Sequence, residues 1–240
     1  MSTRIEHITF GSENDGRIVL SNSAIARKLS VGNGWTRIRI CARICLEDTG
    51  GNIVGAPTSW VGVLSDPNGL NGPLTSNTSH FVGVKTAGGT MTRYSGYYGL
   101  SGSDGVAVKK VKGTTTVSSS TAYISGVRDV SNRVSTARSL CVVEIKKGST
   151  SFTCQSVSPT NTNAMTQDYS MLNVKTLMNI DTMSGVSDYL SGVSSTWTTS
   201  SALSVAVSES NDGPLNGICI AWNRADAPMH ISDVMVSYFE

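Results

Sequence analysis

The stretch of sequence that decides the fold is Trp35-Thr36-Arg37-Ile38-Arg39-Ile40-Cys41-Ala42-Arg43-Ile44-Cys45-Leu46. Its charged and apolar side chains alternate with a period of two over most of its length. In an extended chain, Arg37, Arg39 and Arg43 therefore lie on one face, and the isoleucines and Leu46 lie on the other. The pattern predicts a β-strand that is buried on one face only. The turn formers at residues 50–52 are expected to end this strand.

Short apolar runs of the same kind recur along the chain. Two of them, residues 60–64 and 81–85, share the order aromatic-Val-Gly-Val and are separated by turn-forming residues. A glycine inside a strand marks a bend, a bulge or a large neighbour packed across the bare backbone. Further strands are predicted at residues 106–108, 122–124, 140–145, 151–154, 203–207, 217–222 and 230–239.

Residues 168–190 depart from this pattern, because their apolar side chains recur at spacings of three and four. These side chains are Met171, Val174, Leu177, Met178, Met183, Val186, Tyr189 and Leu190. The spacing predicts one or two short helices, broken near Gly185 and Gly192. The segment 168–192 is a helical insertion, a lid or an arm that reaches a neighbour.

These patterns predict an all-β protein, an antiparallel jelly-roll-like β-sandwich with a short helical insertion near residues 168–190. The length of 240 residues is compatible with one sandwich domain covering residues 1–240. Charged residues make up only 15% of the chain, below the roughly 25% usual in soluble domains. The formal net charge of +2 provides no field that predicts nucleic-acid binding.

Compartment and cysteine chemistry follow from the same composition. No apolar run approaches the ~20 residues that span a bilayer, and residues 1–10 lack the apolar centre of a signal peptide. We therefore expect synthesis in a cytoplasm without a signal peptide, and no membrane span. The five cysteines are an odd set without the spacing of a disulfide framework, so we expect buried free thiols.

The sequence contains no recognisable catalytic or metal-binding motif, so we predict a non-enzyme without catalytic residues, metal or cofactor. The nearest acidic pair is Glu47-Asp48, and adjacent residues on a strand point to opposite faces, which favours a turn. His7, His80 and His230 are too scattered for a linear metal motif. An active site assembled from residues far apart in sequence is the remaining enzymatic alternative.

The best candidate for a recognition or assembly surface is the segment Arg93-Tyr94-Ser95-Gly96-Tyr97-Tyr98-Gly99. Exposed tyrosines beside glycine and serine suit contacts with sugars or proteins, because rigid rings lose little entropy on binding. Trp60 and Trp197 are added to this candidate surface. The alternative is that the tyrosine rings pack on the sheet beneath them.

The strand pattern resembles the concanavalin A-like (laminin-G-like) jelly-roll sandwich. The matching segments are residues 35–46, 60–64, 80–85, 139–145 and 231–239, and the closing Ile231-Ser232-Asp233-Val234-Met235-Val236 is similar to the Ile-x-Asp-Val-x-Val ending of that family. The acidic metal and catalytic signatures of its legume-lectin and glucanase branches are not found. The low-charge, Ser/Thr/Gly-rich composition also resembles that of bacteriophage virion proteins.

The sequence supports two hypotheses about function. The leading hypothesis is a virion structural protein, a phage capsid accessory (decoration) or tail component, which acts through self-association and docking. Its partners would be itself, as a homo-oligomer, and other virion proteins. The alternative is a carbohydrate-binding, lectin-like recognition module whose partner is a host glycan.

Overall fold

The computed structural model places most of the chain. The described residues are 3–9, 18–47, 49–55, 57–65, 81–87, 90–94, 97–100, 105–111, 114–115, 123–125, 127–128, 139–159, 172–193, 197–206 and 209–239.

Most of the described secondary structure is β-strand, which confirms the predicted all-β class. The strands are β1 (Thr3–Ile8), β2 (Ile18–Leu20), β3 (Ser23–Lys28), β4 (Arg37–Glu47), β5 (Ile53–Val54), β6 (Thr58–Leu64), β7 (Phe81–Ala87), β8 (Thr90–Tyr94), β9 (Tyr97–Leu100), β10 (Gly105–Val111), β11 (Thr114–Thr115), β12 (Tyr123–Ser125), β13 (Val127–Arg128), β14 (Ser139–Lys147), β15 (Ser151–Pro159), β16 (Trp197–Thr199), β17 (Leu203–Ala206), β18 (Gly217–Trp222) and β19 (Met229–Phe239). The helices are α1 (Val174–Asn179), α2 (Met183–Val193) and α3 (Glu209–Asp212).

The strands form three sheets in which every described pair except β13–β4 is antiparallel. The nine-stranded sheet has the order β1-β19-β4-β14-β15-β16, with β2, β13 and β17 paired beside this path. The six-stranded sheet has the order β11-β10-β7-β6-β18-β3, and the four-stranded sheet has the order β12-β9-β8-β5. Strand β19 therefore lies inside the large sheet, between β1 and β4.

The main core lies between the nine-stranded and six-stranded sheets, which pack face to face as a sandwich. From β4 it receives Ile38, Ile40, Ala42, Ile44 and Leu46, so the isoleucine face predicted from the sequence is the inner face. The six-stranded sheet contributes Val61, Val63, Val82, Val84, Ile218, Ile220 and Trp222. Complete burial of an aliphatic side chain of this size stabilises the fold by about 1.5–3 kcal/mol.

Strand β4 is buried on both faces, and the prediction of one solvent-exposed face was wrong. The arginine face lies beneath α1 and its flanking residues, where Arg39 is fully buried and Arg43 is only 6% exposed. The helices and the sheet share a second apolar cluster, formed by Cys41, Leu140, Val142, Val157, Val174, Leu177, Met178, Met183, Val186, Leu190, Trp197 and Met235. Alternation along one strand assigns side chains to faces, but it does not show what covers each face.

The predicted helical insertion corresponds to α1 and α2, but the break between them is not where the sequence placed it. The interruption lies at residues 180–182, and Gly185 and Gly192 both lie inside α2. The hydroxyl of Thr182 caps the second helix by accepting a hydrogen bond from the Gly185 amide at 3.1 Å. A Cβ on Gly185 would lie 2.8 Å from Ile180 Cγ2, so glycine permits the tight connection between the helices.

The two aromatic-Val-Gly-Val strands, β6 and β7, are neighbours, and their glycines serve one purpose. Gly62 and Gly83 are cross-strand partners. A Cβ at either position would lie 2.8 Å or less from Phe81 Cζ and still closer to the opposing backbone. Such a glycine was predicted to mark a bend, a bulge or a large neighbour. The structure shows a large neighbour, since the Phe81 ring lies across the bare backbone of both glycines.

All five cysteines are free, as predicted. Four are buried and Cys141 is partly buried. Burial raises the pKa of the Cys41 and Cys141 thiols to about 12, and it raises the pKa of Cys154 and Cys219 as well. Because the thiolate is the reactive form, these side chains act as small apolar core residues.

Candidate functional site

Three of the five predicted recognition residues lie on one β-hairpin. Strands β8 and β9 pair so that Tyr94 is opposite Tyr97 and Arg93 is opposite Tyr98. The structure therefore places Tyr94, Tyr97 and Tyr98 on paired strands, with Tyr94 and Tyr97 at positions of one face and Tyr98 at a position of the other.

A fourth tyrosine joins this hairpin from a distant part of the chain. Strand β12 pairs with β9, and its register sets Ile124 opposite Tyr98 and Ser125 opposite Tyr97, with Tyr123 one position along. We call the backbone positions of Tyr94, Tyr97, Tyr98 and Tyr123 on these three strands the tyrosine sheet. Tyr123 could not be assigned to this group from the sequence, because strand pairing over this separation leaves no local signal.

The tyrosine sheet is attached to the main core at its other edge. Strand β5 pairs with β8, with Ile53 opposite Met91. Both side chains are almost completely buried in the main core. The hairpin therefore extends from a strand that is held in place by core packing, and a rigid support of this kind limits the entropy lost on binding.

The two tryptophans of the predicted surface lie elsewhere, and both are buried. Trp60 is 5% exposed on the outer face of the six-stranded sheet, where its ring meets Phe81 edge-on with centroids 5.5 Å apart. Trp197 is 4% exposed in the cluster beneath α2. A side chain so well covered offers a partner little area, so neither tryptophan suits a recognition surface.

Sequence reasoning missed a second polar cluster, at an irregularity in β19. Ser232 pairs with Arg43 and Val234 pairs with Ala42, so Asp233 is an extra residue in a β-bulge. Its φ of 56° lies in the left-handed region, which is uncommon for a residue other than glycine. The bulge lets both Ile231 and Val234 enter the core although they are three residues apart.

The Asp233 carboxylate lies between two basic side chains on the helix-bearing side of the large sheet. His7 Nε2 is 3.8 Å from Asp233 Oδ1, and Arg43 Nε is 3.6 Å from Asp233 Oδ2. His7 and Asp233 are about half exposed, at 53% and 50%, whereas the Arg43 side chain is 7% exposed. Arg43 Nη2 donates to the Leu172 carbonyl at 2.9 Å. Arg43 Nε is buried and makes no hydrogen bond to the described residues.

One signal in the sequence was available for this cluster. Strict alternation through residues 229–239 would send either Ile231 or Val234 out of the core, and this conflict predicts a one-residue bulge between them. The Asp of the Ile-x-Asp-Val-x-Val ending is that bulge residue. The approach of His7 depends on the pairing of β1 with β19, which no local pattern indicates.

Two further pairs of polar side chains are structural. His230 was an opening residue of the last predicted strand, and it is buried with Nε2 3.0 Å from Glu47 Oε2. Arg39 and Glu144 form a buried ion pair beneath α1. Among the described residues, no group of three or more His, Cys, Asp or Glu side chains is arranged to hold a metal ion. No helix in the described part of the chain is long and apolar enough to cross a membrane.

Comparisons with known proteins give likeness in structure alone. No family model matches the sequence, and no curated protein matches it. One similar solved structure is the CBM2 module of the evolved Dit of Lactobacillus casei BL23 phage J-1, with 6% identity, 99% of this chain and 97% of that chain covered, and a TM-score of 0.42.

Two other matched structures are lumenal or lectin-like domains. The exoplasmic/lumenal domain of VIP36 in its Ca2+/Man3GlcNAc-bound form has 6% identity over 100% of this chain and 83% of that chain, with a TM-score of 0.38. The legume lectin-like domain from Entamoeba histolytica has 8% identity over 99% of this chain and 90% of that chain, with a TM-score of 0.36. All three are sandwiches of the concanavalin A-like kind that the sequence resembles. Because each TM-score is below 0.5, none of these likenesses indicates what this chain binds.

Proposed function

We propose that the chain is a non-catalytic carbohydrate-binding module of a bacteriophage virion, with the tyrosine sheet as its recognition surface. The observation that carries this proposal is the strand register, which sets Tyr94, Tyr97 and Tyr123 at positions of one face on three adjacent strands, with Tyr98 at a position of the other face. The virion setting is supported by the composition, which is low in charge and resembles that of phage structural proteins.

Tyrosine suits a sugar partner for two physical reasons. Its ring offers a large apolar area to the C–H face of a pyranose, and its hydroxyl exchanges hydrogen bonds with sugar hydroxyls. A tyrosine also has few rotatable bonds, so ordering it on binding costs little. Cross-strand neighbours have Cβ atoms about 4.5–5.5 Å apart, a spacing on the scale of one sugar ring.

A glycan array tests this proposal directly. The purified protein is applied to an array of neutral and acidic oligosaccharides, and the affinity for the strongest ligand is measured by titration calorimetry. We expect Tyr97→Ala to weaken that binding about tenfold or more, because it removes ring contact and a hydroxyl. The matched variant Tyr97→Phe retains the ring and should keep most of the affinity.

The fold of each variant is checked by its thermal unfolding midpoint, which separates a lost contact from a lost structure. A wild-type protein that binds no glycan on the array contradicts the proposal. The proposal is also contradicted if the three single variants Tyr94→Ala, Tyr97→Ala and Tyr98→Ala all bind the glycan as tightly as the wild type does.

A second candidate is a self-associating virion structural protein, which the positions of two edge strands favour. Among the described residues, β3 pairs only with β18, and β1 pairs only with β19. These edges lie side by side, because Ser30 Oγ donates to Glu6 Oε2 at 2.6 Å and Arg27 Nη1 donates to the Thr9 carbonyl. Open edges can accept a strand from another chain.

Native mass by light scattering across a concentration range tests this second candidate. A defined oligomer or open-ended growth with concentration supports it, and a constant monomer mass at every concentration contradicts it. The two candidates are compatible, because a module on a virion can assemble through its edges and bind a glycan elsewhere.

A further inference from the structure

We propose that the bound saccharide is neutral and that Gly99 forms the floor of its site, on the outer face of the four-stranded sheet. This inference rests on the proposed carbohydrate-binding function. It adds the face of the sheet that binds, the charge class of the ligand and one residue that determines which sugars fit.

Burial shows which face of the four-stranded sheet is the outer one. Ile53 and Met91 are cross-strand partners, and they are 1% and 0% exposed in the main core. The next residue of β5, Val54, belongs to the opposite face and is 59% exposed. Its cross-strand partner Thr90 is partly exposed. The Ile53 face is therefore the inner face, and the Val54 face is the outer face.

The strand register extends this assignment across the sheet. Directly paired residues share a face, and the faces alternate along each strand. The pairing of β8 with β9, and of β9 with β12, therefore assigns every remaining position. The outer-face positions are Val54, Thr90, Thr92, Tyr94, Tyr97, Gly99, Tyr123 and Ser125. Three of the four tyrosines share the outer face, and Tyr98 belongs to the inner face.

Gly99 occupies a central position on this outer face. It is opposite Thr92 on β8 and opposite Tyr123 on β12, and Tyr97 is two residues away on β9 itself. The register is unbroken in both pairs, so Gly99 does not mark a bulge. In a strand without a bulge, a glycine often marks a place where a ligand or another backbone approaches closely.

The absent side chain leaves room for one sugar ring. Strands β8 and β12 flank β9, so they are about 9–10 Å apart across Gly99. Successive positions of one face are about 7 Å apart along a strand, which is the separation of Tyr97 from Gly99. A pyranose on this bare backbone has a tyrosine position on two sides, Tyr97 and Tyr123, and aromatic rings suit its C–H face.

The outer face favours a neutral ligand, because none of its described positions holds a charged residue. The one charged residue of these four strands, Arg93, is opposite Tyr98 and belongs to the inner face. A carboxylate, sulfate or phosphate on the ligand would lose water without gaining a basic partner. Threonine, serine and tyrosine hydroxyls both donate and accept, which matches the hydroxyls of a neutral sugar.

A larger residue at position 99 tests the site. Gly99→Val suits a β-strand but fills the space of the sugar, so affinity for the strongest array ligand should fall about tenfold or more in titration calorimetry. The matched control is Gly51→Val, which lies outside the four strands, has nothing within 4 Å of its Cβ position and should bind as the wild type does. Thermal unfolding midpoints check the fold. Gly99→Ala is a smaller change that should lower affinity less, and it gives the same comparison if the valine variant does not fold.

Matched ligands test the charge class. The array compares neutral oligosaccharides with the same structures carrying sulfate or sialic acid, and we expect the strongest ligands to need no acidic group. A sulfate on the bound ring should weaken binding about tenfold or more. Thr92→Lys places a positive charge opposite Gly99 and should reduce that difference.

Two outcomes would overturn this inference and leave the proposed function standing. One is a Gly99→Val variant that binds as tightly as the wild type while Tyr97→Ala binds weakly. The other is an array on which every strong ligand needs its acidic group. A wild type that binds no glycan would overturn both the inference and the proposed function.

Discussion

Arg39 and Glu144 form an ion pair that is sealed between the large sheet and helix α1. Arg39 Nη2 lies 2.6 Å from Glu144 Oε2, and the two side chains are 0% and 2% exposed. Arg39 also donates to the carbonyls of Leu177 and Ile180, the last turn of α1. Burial lowers the pKa of Arg39, and the adjacent Glu144 carboxylate opposes that shift. The pair therefore joins the sheet to the helical layer.

Removing one member of this pair should destabilise the protein strongly. Glu144→Leu leaves the Arg39 charge buried without its partner, and we expect a loss of about 3–5 kcal/mol in the free energy of unfolding. The double variant Arg39→Met/Glu144→Leu should cost less than the sum of the two single changes. Denaturant unfolding measures all three, and strictly additive losses would refute the coupling. Lys146→Ala is the control, because its contact with Glu144 is 3.5 Å long and half exposed.

The bulge at Asp233 should accept only residues that tolerate a left-handed backbone. Asp233→Val places a β-branched side chain at a φ of 56°, and we expect a cost of about 1–3 kcal/mol in the free energy of unfolding. Asp233→Gly should lose much less, because glycine adopts this conformation freely. Equal unfolding free energies for the two variants would show that the bulge is absent in solution.

The glycines beneath Phe81 should not accept a methyl group. A Cβ on Gly62 would lie 2.3 Å from the Val82 carbonyl oxygen, so Gly62→Ala forces the backbone apart, and we expect a loss of about 1–3 kcal/mol or more. Gly192→Ala provides the opposite case, because nothing lies within 4 Å of its Cβ position in α2. That variant should gain about 0.5–1 kcal/mol. An unfolding midpoint below that of the wild type for Gly62→Ala, and above it for Gly192→Ala, would confirm this contrast.

The thiols should be unreactive until the protein unfolds. With a pKa of about 12, Cys41 and Cys141 contain roughly one thiolate in ten thousand at pH 8. We expect Ellman's reagent to react very slowly with the native protein and to count five thiols in denaturant. Rapid reaction of several native thiols at pH 8 would contradict the buried positions.

Stability should fall at alkaline pH. Burial raises the pKa of Cys41 and Cys141 from 9.0 and that of Tyr238 from 10.0, each to about 12. A pKa that is higher in the folded state contributes stability that is full below the unfolded value, here about 9 to 10, and declines as the pH rises toward 12. The urea midpoint should therefore drop between pH 9 and pH 11, and Tyr238→Phe should flatten the upper part of that profile.

The sequence predicts much of this fold because the signals involved are local. Alternation in residues 35–46 separates the two faces of β4, and spacings of three and four locate the helices near Val174 and Val186. The features it does not predict depend on contacts between distant segments. Arg39 was expected at a solvent-exposed face because nothing near it in sequence shows that residues 174–193 cover it.

The candidate site also contains residues that local sequence predicts and residues that only distant contacts bring in. Tyr94, Tyr97 and Tyr98 are predictable as a group because they share one hairpin, whereas Tyr123 joins them only through the pairing of β12 with β9. Trp60 and Trp197 were chosen for their residue type, and their burial depends on packing against Phe81 and α2. The bulge at Asp233 is detectable from the conflict in its alternation, but its neighbours Arg43 and His7 are not.

The position of β19 determines when the large sheet can complete its strand pairing. This strand fills the place between β1 and β4, and it pairs Phe239 with Thr3 at one end and with Arg37 on its other side. During synthesis the earlier strands of the large sheet leave the ribosome with that place empty, so the sheet closes only after residues 229–239 have been made. Contacts over such long sequence separations slow folding. Until then β1 and β4 have no shared neighbour, and the apolar surface that β19 covers in the folded protein is open to aggregation.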